Sequence, residues 1–220
     1  MDAPAFEELR RAMFRAYGEG RYGEALVAAR EAWERFPEKE ARTAYWLACL
    51  LCRVGDPDEA LRVLENARSH GRWWGEGLLM KDPDLEPLWR HAEFLRLVER
   101  CREAQVAAQS AARPQVLVLS PDLPSPASAP PLLLVFHGRG GSAEECAPHF
   151  RSATAHGWIV ALAQGTQLEG EGMYTWDEPA QAEQDVAWAY EHAVQSQPVD
   201  RGRTVLAGVS QGGAHAIVLA

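Results

Sequence analysis

The chain has 220 residues, 47% of them hydrophobic and 24% charged, with a formal net charge of −9 at pH 7. That length holds one large or two small domains, and the apolar content suffices for a buried core. The acidic balance argues against nucleic acid or an anionic membrane surface as the main partner. No run of about 18 apolar residues occurs, so no membrane span is expected. The start, Met1 to Glu8, is acidic and lacks the apolar centre of a signal segment, which makes the cytoplasm the expected location.

Residues 1–112 read as an all-helical domain. Phe6, Leu9, Met13 and Tyr17 recur at helical spacing until Gly18-Glu19-Gly20 interrupts them. Tyr22, Ala25, Leu26, Ala29, Ala32, Trp33 and Phe36 form the next apolar stripe, closed by Pro37. The plan returns about 35 residues later, with Ala44, Leu47, Ala48 and Leu51, a break at Gly55, then Ala60, Leu61, Leu64 and Ala67. Asp56-Pro57-Asp58-Glu59 is a helix start, with an aspartate cap, proline at the first helical position and glutamate three after the cap. Cys49 and Cys52 have C-x-x-C spacing inside this apolar helical pattern. They read as small buried residues, not as a redox pair or half a zinc site. A helix from about Ala92 to Ala112 follows and would cap the array.

This repeated pattern resembles tetratricopeptide repeats over roughly residues 6–72. Met13 and Ala48 stand where those repeats usually have glycine, and the second repeat lacks a closing proline. The segment from Trp73-Trp74-Gly75 to Trp89 resembles the one that often closes such repeat groups. The resemblance implies close helix crossings at Ala25 and Ala60. It leaves two roles open: a concave surface for a peptide or protein partner, or a packing module fused to an enzyme.

From Arg113 the periodicity switches. Gln115 to Leu119, Pro131 to Phe136, Trp158 to Leu162 and Arg203 to Ala207 read as strands, and about Gln181 to Gln197 as a helix. Pro121 through Pro130 reads as a proline- and serine-rich turn. Alternating strands and helices imply a mostly parallel sheet.

Two motifs follow buried strands. Gly208-Val209-Ser210-Gln211-Gly212-Gly213 is a strand–turn–helix with serine at the apex of Gly-x-Ser-x-Gly, the pattern of a nucleophile elbow. His137-Gly138-Arg139-Gly140-Gly141 is a glycine-rich loop of the kind that offers a backbone N–H to an oxyanion. Together with Trp176-Asp177 they resemble the phospholipase/carboxylesterase group of the α/β-hydrolases, close to the dienelactone hydrolases. The resemblance covers residues 113–220 as the N-terminal portion of a three-layer α/β-hydrolase domain. It implies a serine hydrolase that cleaves carboxylic esters or thioesters through an acyl-serine, with no metal and no cofactor. Ser210 would be the nucleophile, and the Gln211 and Arg139 N–H groups the oxyanion hole. His137, Gly138, Gly140, Gly208 and Gly212 would support them. Met173, Tyr174 and Trp176 would line an acyl pocket or simply pack the loop.

In that family the acid and the histidine follow the serine, and neither is found here. His137 reads as structural and His215 as packing or surface. Asp177, Glu178 and Asp185 all precede Ser210 and are no substitute. The expectation is therefore that the 220 residues are the first part of a longer protein, lacking on the order of 80–120 residues. A chain truly ending at Ala220 would be inactive. The alternatives are a serine peptidase of the same fold and a repeat-based binding module carrying a dead hydrolase domain.

Overall fold

The structure is a computed structural model that describes residues 3–122 and 129–220. The central part of the turn expected at Pro121–Pro130, and the first two residues of the acidic start, lie outside the described residues. The chain forms two compact units, Met1–Val106 and Ala107–Ala220. The division falls inside a helix, six residues before the boundary expected at 112.

The first unit is helical. It contains α1 (Ala3–Gly18), α2 (Tyr22–Arg35), α3 (Glu40–Arg53), α4 (Pro57–Ser69), α5 (Glu76–Lys81), a 3-10 turn (Pro83–Leu88) and the start of α6 (Ala92–Ala111). α1 packs on α2, α2 on α3 and α3 on α4. The crossings are close because small residues stand at them: Ala25, Ala29, Ala44, Ala48, Ala60 and Ala67 are all 0% exposed. Asp56 caps α4 by accepting from the Glu59 N–H at 3.2 Å. The four cysteines are buried free thiols.

The second unit is α/β. Its strands are β1 (Gln115–Leu119), β2 (Pro131–Phe136), β3 (Ile159–Gln164), β4 (Gln167–Gly170), β5 (Met173–Thr175) and β6 (Asp200–Gly208). The main sheet has the order β1-β3-β2-β6. β1 runs antiparallel to β3, while β3, β2 and β6 are parallel. Helices α7 (Ala143–Phe150), α8 (Pro179–Ser196) and α9 (Gln211–Leu219) complete the unit.

Strand alternation places helices on both faces. Leu132, Leu134 and Phe136 of β2 join Ile159, Ala161 and Ala163 of β3 against Ala182, Ala189 and Ala193 of α8 and Ala216 of α9. Val135, Val160 and Leu162 point the other way, against Ala143, Cys146 and Ala147 of α7. This explains why β2 and β3 read as continuous apolar runs.

The strands expected at 158–162 and 203–207 are longer, and the helix expected at 181–197 runs Pro179–Ser196. The β4–β5 hairpin was not foreseen, being only four and three residues long. At the edge of the sheet, β6 leaves Val205 45% exposed, and α9 leaves Ile217 81% and Val218 78% exposed.

Candidate active site

Parallel pairing of β2 with β6 sets Phe136 beside Gly208. The Val209 N–H then donates to the Phe136 carbonyl at 3.1 Å. The loops that begin at His137 and Val209 therefore leave the sheet side by side at the carboxyl ends of two adjacent strands. That is where open α/β sheets place ligands.

Ser210 sits at φ 51°, ψ −118° and is the one non-glycine residue with positive φ among the described residues. Such a backbone costs an L-residue about 1–3 kcal/mol and persists only where its surroundings enforce it. The enforcing contacts are visible. A Cβ on Gly208 would lie 2.4 Å from the Gly212 carbonyl carbon. One on Gly212 would lie 2.4 Å from the carbonyl oxygens of both Phe136 and His137. Neither position has room for any side chain, so the turn closes tightly and Ser210 is left exposed.

The glycine-rich loop comes up against this apex. A Cβ on Gly138 would stand 3.2 Å from the Val209 carbonyl oxygen and 3.5 Å from Ser210 Cβ. Gly140 donates to the Tyr174 carbonyl at 2.8 Å, and Tyr174 donates back to the Gly141 carbonyl at 3.3 Å. The unforeseen β4–β5 hairpin thus holds the loop in place. Gln211 opens α9, so its N–H is one of the helix's first-turn donors with no intrahelical acceptor. Its side chain accepts from Thr175 Oγ1 and from the Trp176 N–H, both at 3.2 Å, and donates to Asp177 Oδ1 at 2.8 Å. Arg139 places its guanidinium between Glu169, at 2.6 Å from Nε, and Asp177, at 3.1 Å from Nη1. Asp177 therefore links the Arg139 and Gln211 side chains.

His137 is 2% exposed. Its Nε2 accepts from the Gly165 N–H at 3.3 Å, which leaves the proton on Nδ1 to donate to the Gly138 carbonyl at 2.9 Å. Burial lowers its pKa below the ordinary value, favouring this neutral tautomer. Its ring stacks on Trp176 at 4.7 Å, and its carbonyl accepts from Trp176 Nε1 at 2.9 Å. Trp176 is only 1% exposed and Met173 5%, so both pack the loop from within. Tyr174 is half-buried, with its hydroxyl pKa raised by burial and then by Glu144.

His215 hydrogen-bonds the Trp176 carbonyl through Nε2 at 2.9 Å. Asp185, 1% exposed, is occupied by Thr166 and Gln181. Glu169 is 8% exposed, and burial raises its pKa against the opposing pull of Arg139. Among the described residues no histidine–carboxylate pair is brought to Ser210.

Residues 6–109 match the family described as "A/B hydrolase-like, N-terminal domain". The match supports a hydrolase-like fold and, at that coarse level, a hydrolase; it falls on the helical unit, ahead of both motif loops. Among curated proteins none matches the chain. Among solved structures, the chain is similar to an uncharacterized protein from Bacillus cereus ATCC 10987, with 21% identity and a TM-score of 0.45 over 96% of this chain and 67% of that one. No helix among the described residues is long and apolar enough to cross a membrane.

Sequence reasoning missed Glu169, Gln164 and the Gln211 side chain. Gln164 Oε1 accepts from the Ala143 N–H at 2.9 Å, and its Nε2 lies 3.3 Å from His137 Nε2. Glu169 and Gln164 belong to no spacing motif, and Gln211 fills a variable position of Gly-x-Ser-x-Gly; their side-chain roles arise from folding alone. One group of described residues is spaced to hold a metal ion, Cys49 with Asp82 and Asp84, and it lies in the helical unit.

Proposed function

We propose that the chain carries the nucleophile and oxyanion side of a serine hydrolase acting on carboxylic esters or thioesters. In this reading Ser210 Oγ attacks the acyl carbon, and the negative charge moving onto the carbonyl oxygen is met by the N–H groups of Gln211 and Arg139. Collapse expels the alcohol or thiol and leaves an acyl-serine, which water then cleaves. Each such donor is typically worth about 3 kcal/mol of transition-state stabilisation. The supporting observation is the nearness of Gly138 to the strained apex of the elbow, where an added Cβ would stand 3.5 Å from Ser210 Cβ.

His137 and His215 are both committed to loop carbonyls, so the proposal assigns the general base to neither. Gly208 and Gly212 give the turn its closure, and Gly140 fixes the loop to the hairpin. Tyr174 lines the acyl pocket, with the buried Trp176 beside it. The helical unit, read as tetratricopeptide-like, serves either as a surface for a peptide or protein partner or as a packing module of the enzyme. No metal or organic cofactor enters this chemistry.

The test is turnover by the full-length protein of p-nitrophenyl acetate against a peptide p-nitroanilide. Ester turnover abolished by Ser210→Ala supports the reading. Anilide turnover with little ester turnover points instead to a peptidase. Folded protein that turns over neither sinks it.

A further inference from the structure

The helical unit contains a cavity of about 260 Å³ whose lining residues all fall between Met13 and Asp84. It is smaller than the roughly 300–1,000 Å³ of sites for drug-sized ligands, and suits one short arm of a molecule. Its rim includes Phe14, which is 48% exposed, so the cavity opens to solvent. Two features meet in it.

The first is negative charge held in an apolar setting. Asp82 and Asp84 both line the cavity, and their ligating oxygens lie within 4.8 Å of each other and of Cys49 Sγ. Asp84 is 5% exposed. Its Oδ2 accepts from the Tyr17 hydroxyl at 2.8 Å. Its Oδ1 is buried and accepts no hydrogen bond; Arg53 Nε lies 2.9 Å away, off the line of one. Asp82 accepts from the Tyr45 hydroxyl and from the Asp84 N–H. Phenols and a backbone N–H are neutral donors. Arg53, half-exposed, pairs with Asp84 and is not part of the lining. Close like charges between low-dielectric walls focus a field that favours a cation.

The second feature is aromatic. Trp46 lines the cavity with Phe14 edge-on to it at 5.5 Å, and Tyr17 and Tyr45 complete the wall. Aromatic faces attract cations, most strongly where both are withdrawn from water.

Burial, and then Asp82 and Asp84, push the Cys49 thiol up. Tyr17 is likewise pushed up to about 12, first by burial and then by Asp84. Both acids register the same negative surroundings.

We propose that this cavity binds an alkylammonium group, supplied either as a free amine or as a lysine side chain on a peptide. The aliphatic stem lies along Phe14 and Trp46, and the ammonium reaches the paired carboxylates of Asp82 and Asp84. The inference is independent of any chemistry at Ser210.

Calorimetric titration of the full-length protein tests it. The probes are n-butylammonium chloride, 1-butanol, sodium butyrate, zinc chloride and the blocked pentapeptide Gly-Gly-Lys-Gly-Gly with its acetyl-lysine counterpart. Saturable binding of butylammonium or the lysine peptide, with none by butanol, butyrate or the acetylated peptide, is expected. Tighter binding of the peptide identifies a lysine side chain as the source; equal or tighter binding of butylammonium identifies a free amine.

Asp84→Asn and Phe14→Ala each weaken binding about tenfold. Phe14→Ala alters an exposed rim residue, so it reports even if Asp84→Asn unfolds the unit. Absence of saturable binding by both amines overturns the proposal. So does equal binding of butanol, zinc binding without amine binding, or unchanged affinity in the folded variants.

Discussion

Replacing Ser210 by glycine should make the protein more stable. Ser210 holds φ 51° and ψ −118°, a conformation that costs a side-chain-bearing residue about 1–3 kcal/mol. Glycine removes that cost and adds about 0.5–1 kcal/mol of unfolded-state entropy. The hydroxyl makes no capping hydrogen bond and the residue is exposed, so little is lost with it. The net gain is about 0.5–2 kcal/mol, which raises Tm by roughly 1–8 °C for a chain of 220 residues. Ser210→Ala keeps the Cβ and the strain, and is the control. Differential scanning calorimetry of the two variants isolates the backbone contribution. If Ser210→Gly melts at or below Ser210→Ala, the elbow stores no strain.

Four further outcomes follow from the packing. Gly208→Ala and Gly212→Ala force backbone overlaps at 2.4 Å and should each cost about 3 kcal/mol or more in chemical denaturation, whereas Gly138→Ala, with its nearest contact at 3.2 Å, should keep the fold and slow acylation. Trp176→Phe removes the bond to the His137 carbonyl and should cost about 1–3 kcal/mol by the same measurement; a neutral result would mean that the tryptophan nitrogen does not hold the loop. His137 has its pKa lowered by burial from 6.5, so the folded state prefers the neutral ring. Its contribution is present above pH 6.5 and is lost as pH falls toward the lower folded value, and His137→Gln should flatten that part of the Tm–pH curve. Arg139→Met leaves the Glu169 carboxylate without its partner. Discounted for the exposure of Arg139, the cost is about 1–2 kcal/mol. It should be larger at pH 8 than at pH 5, where Glu169 takes up a proton more readily; a pH-independent cost would mean that the pair carries no charge coupling.

Much of the second unit was legible because burial on two faces writes itself as a continuous apolar run. Leu132 to Phe136 and Ile159 to Ala163 sit in the sheet for that reason. The elbow was legible because its glycines are sterically compulsory, as the contacts at Gly208 and Gly212 make plain. In the helical unit, Ala25 and Ala60 were visible as small residues at close crossings. What the sequence hid is polar and non-local. The β4–β5 hairpin is too short for a periodic signal, yet it brings Glu169 to Arg139 across 30 positions. Gln211 was chosen for its backbone, while its side chain ties Thr175, Trp176 and Asp177 to the elbow. Trp176 could be read as pocket or packing, and its burial at 1% exposure is not visible in the sequence. Asp82 and Asp84 lie within the segment from Trp73 to Trp89 that resembles a repeat closure, and nothing local shows that Tyr17 and Tyr45 reach them.

The most direct measurement is covalent labelling of the full-length protein by a fluorophosphonate, read by intact mass and peptide mapping. The expected result is one adduct, on the peptide containing Ser210, absent from Ser210→Ala and slowed in Gly138→Ala. Folded protein that takes up no label at Ser210, or that labels equally in the alanine variant, would contradict its assignment as the nucleophile.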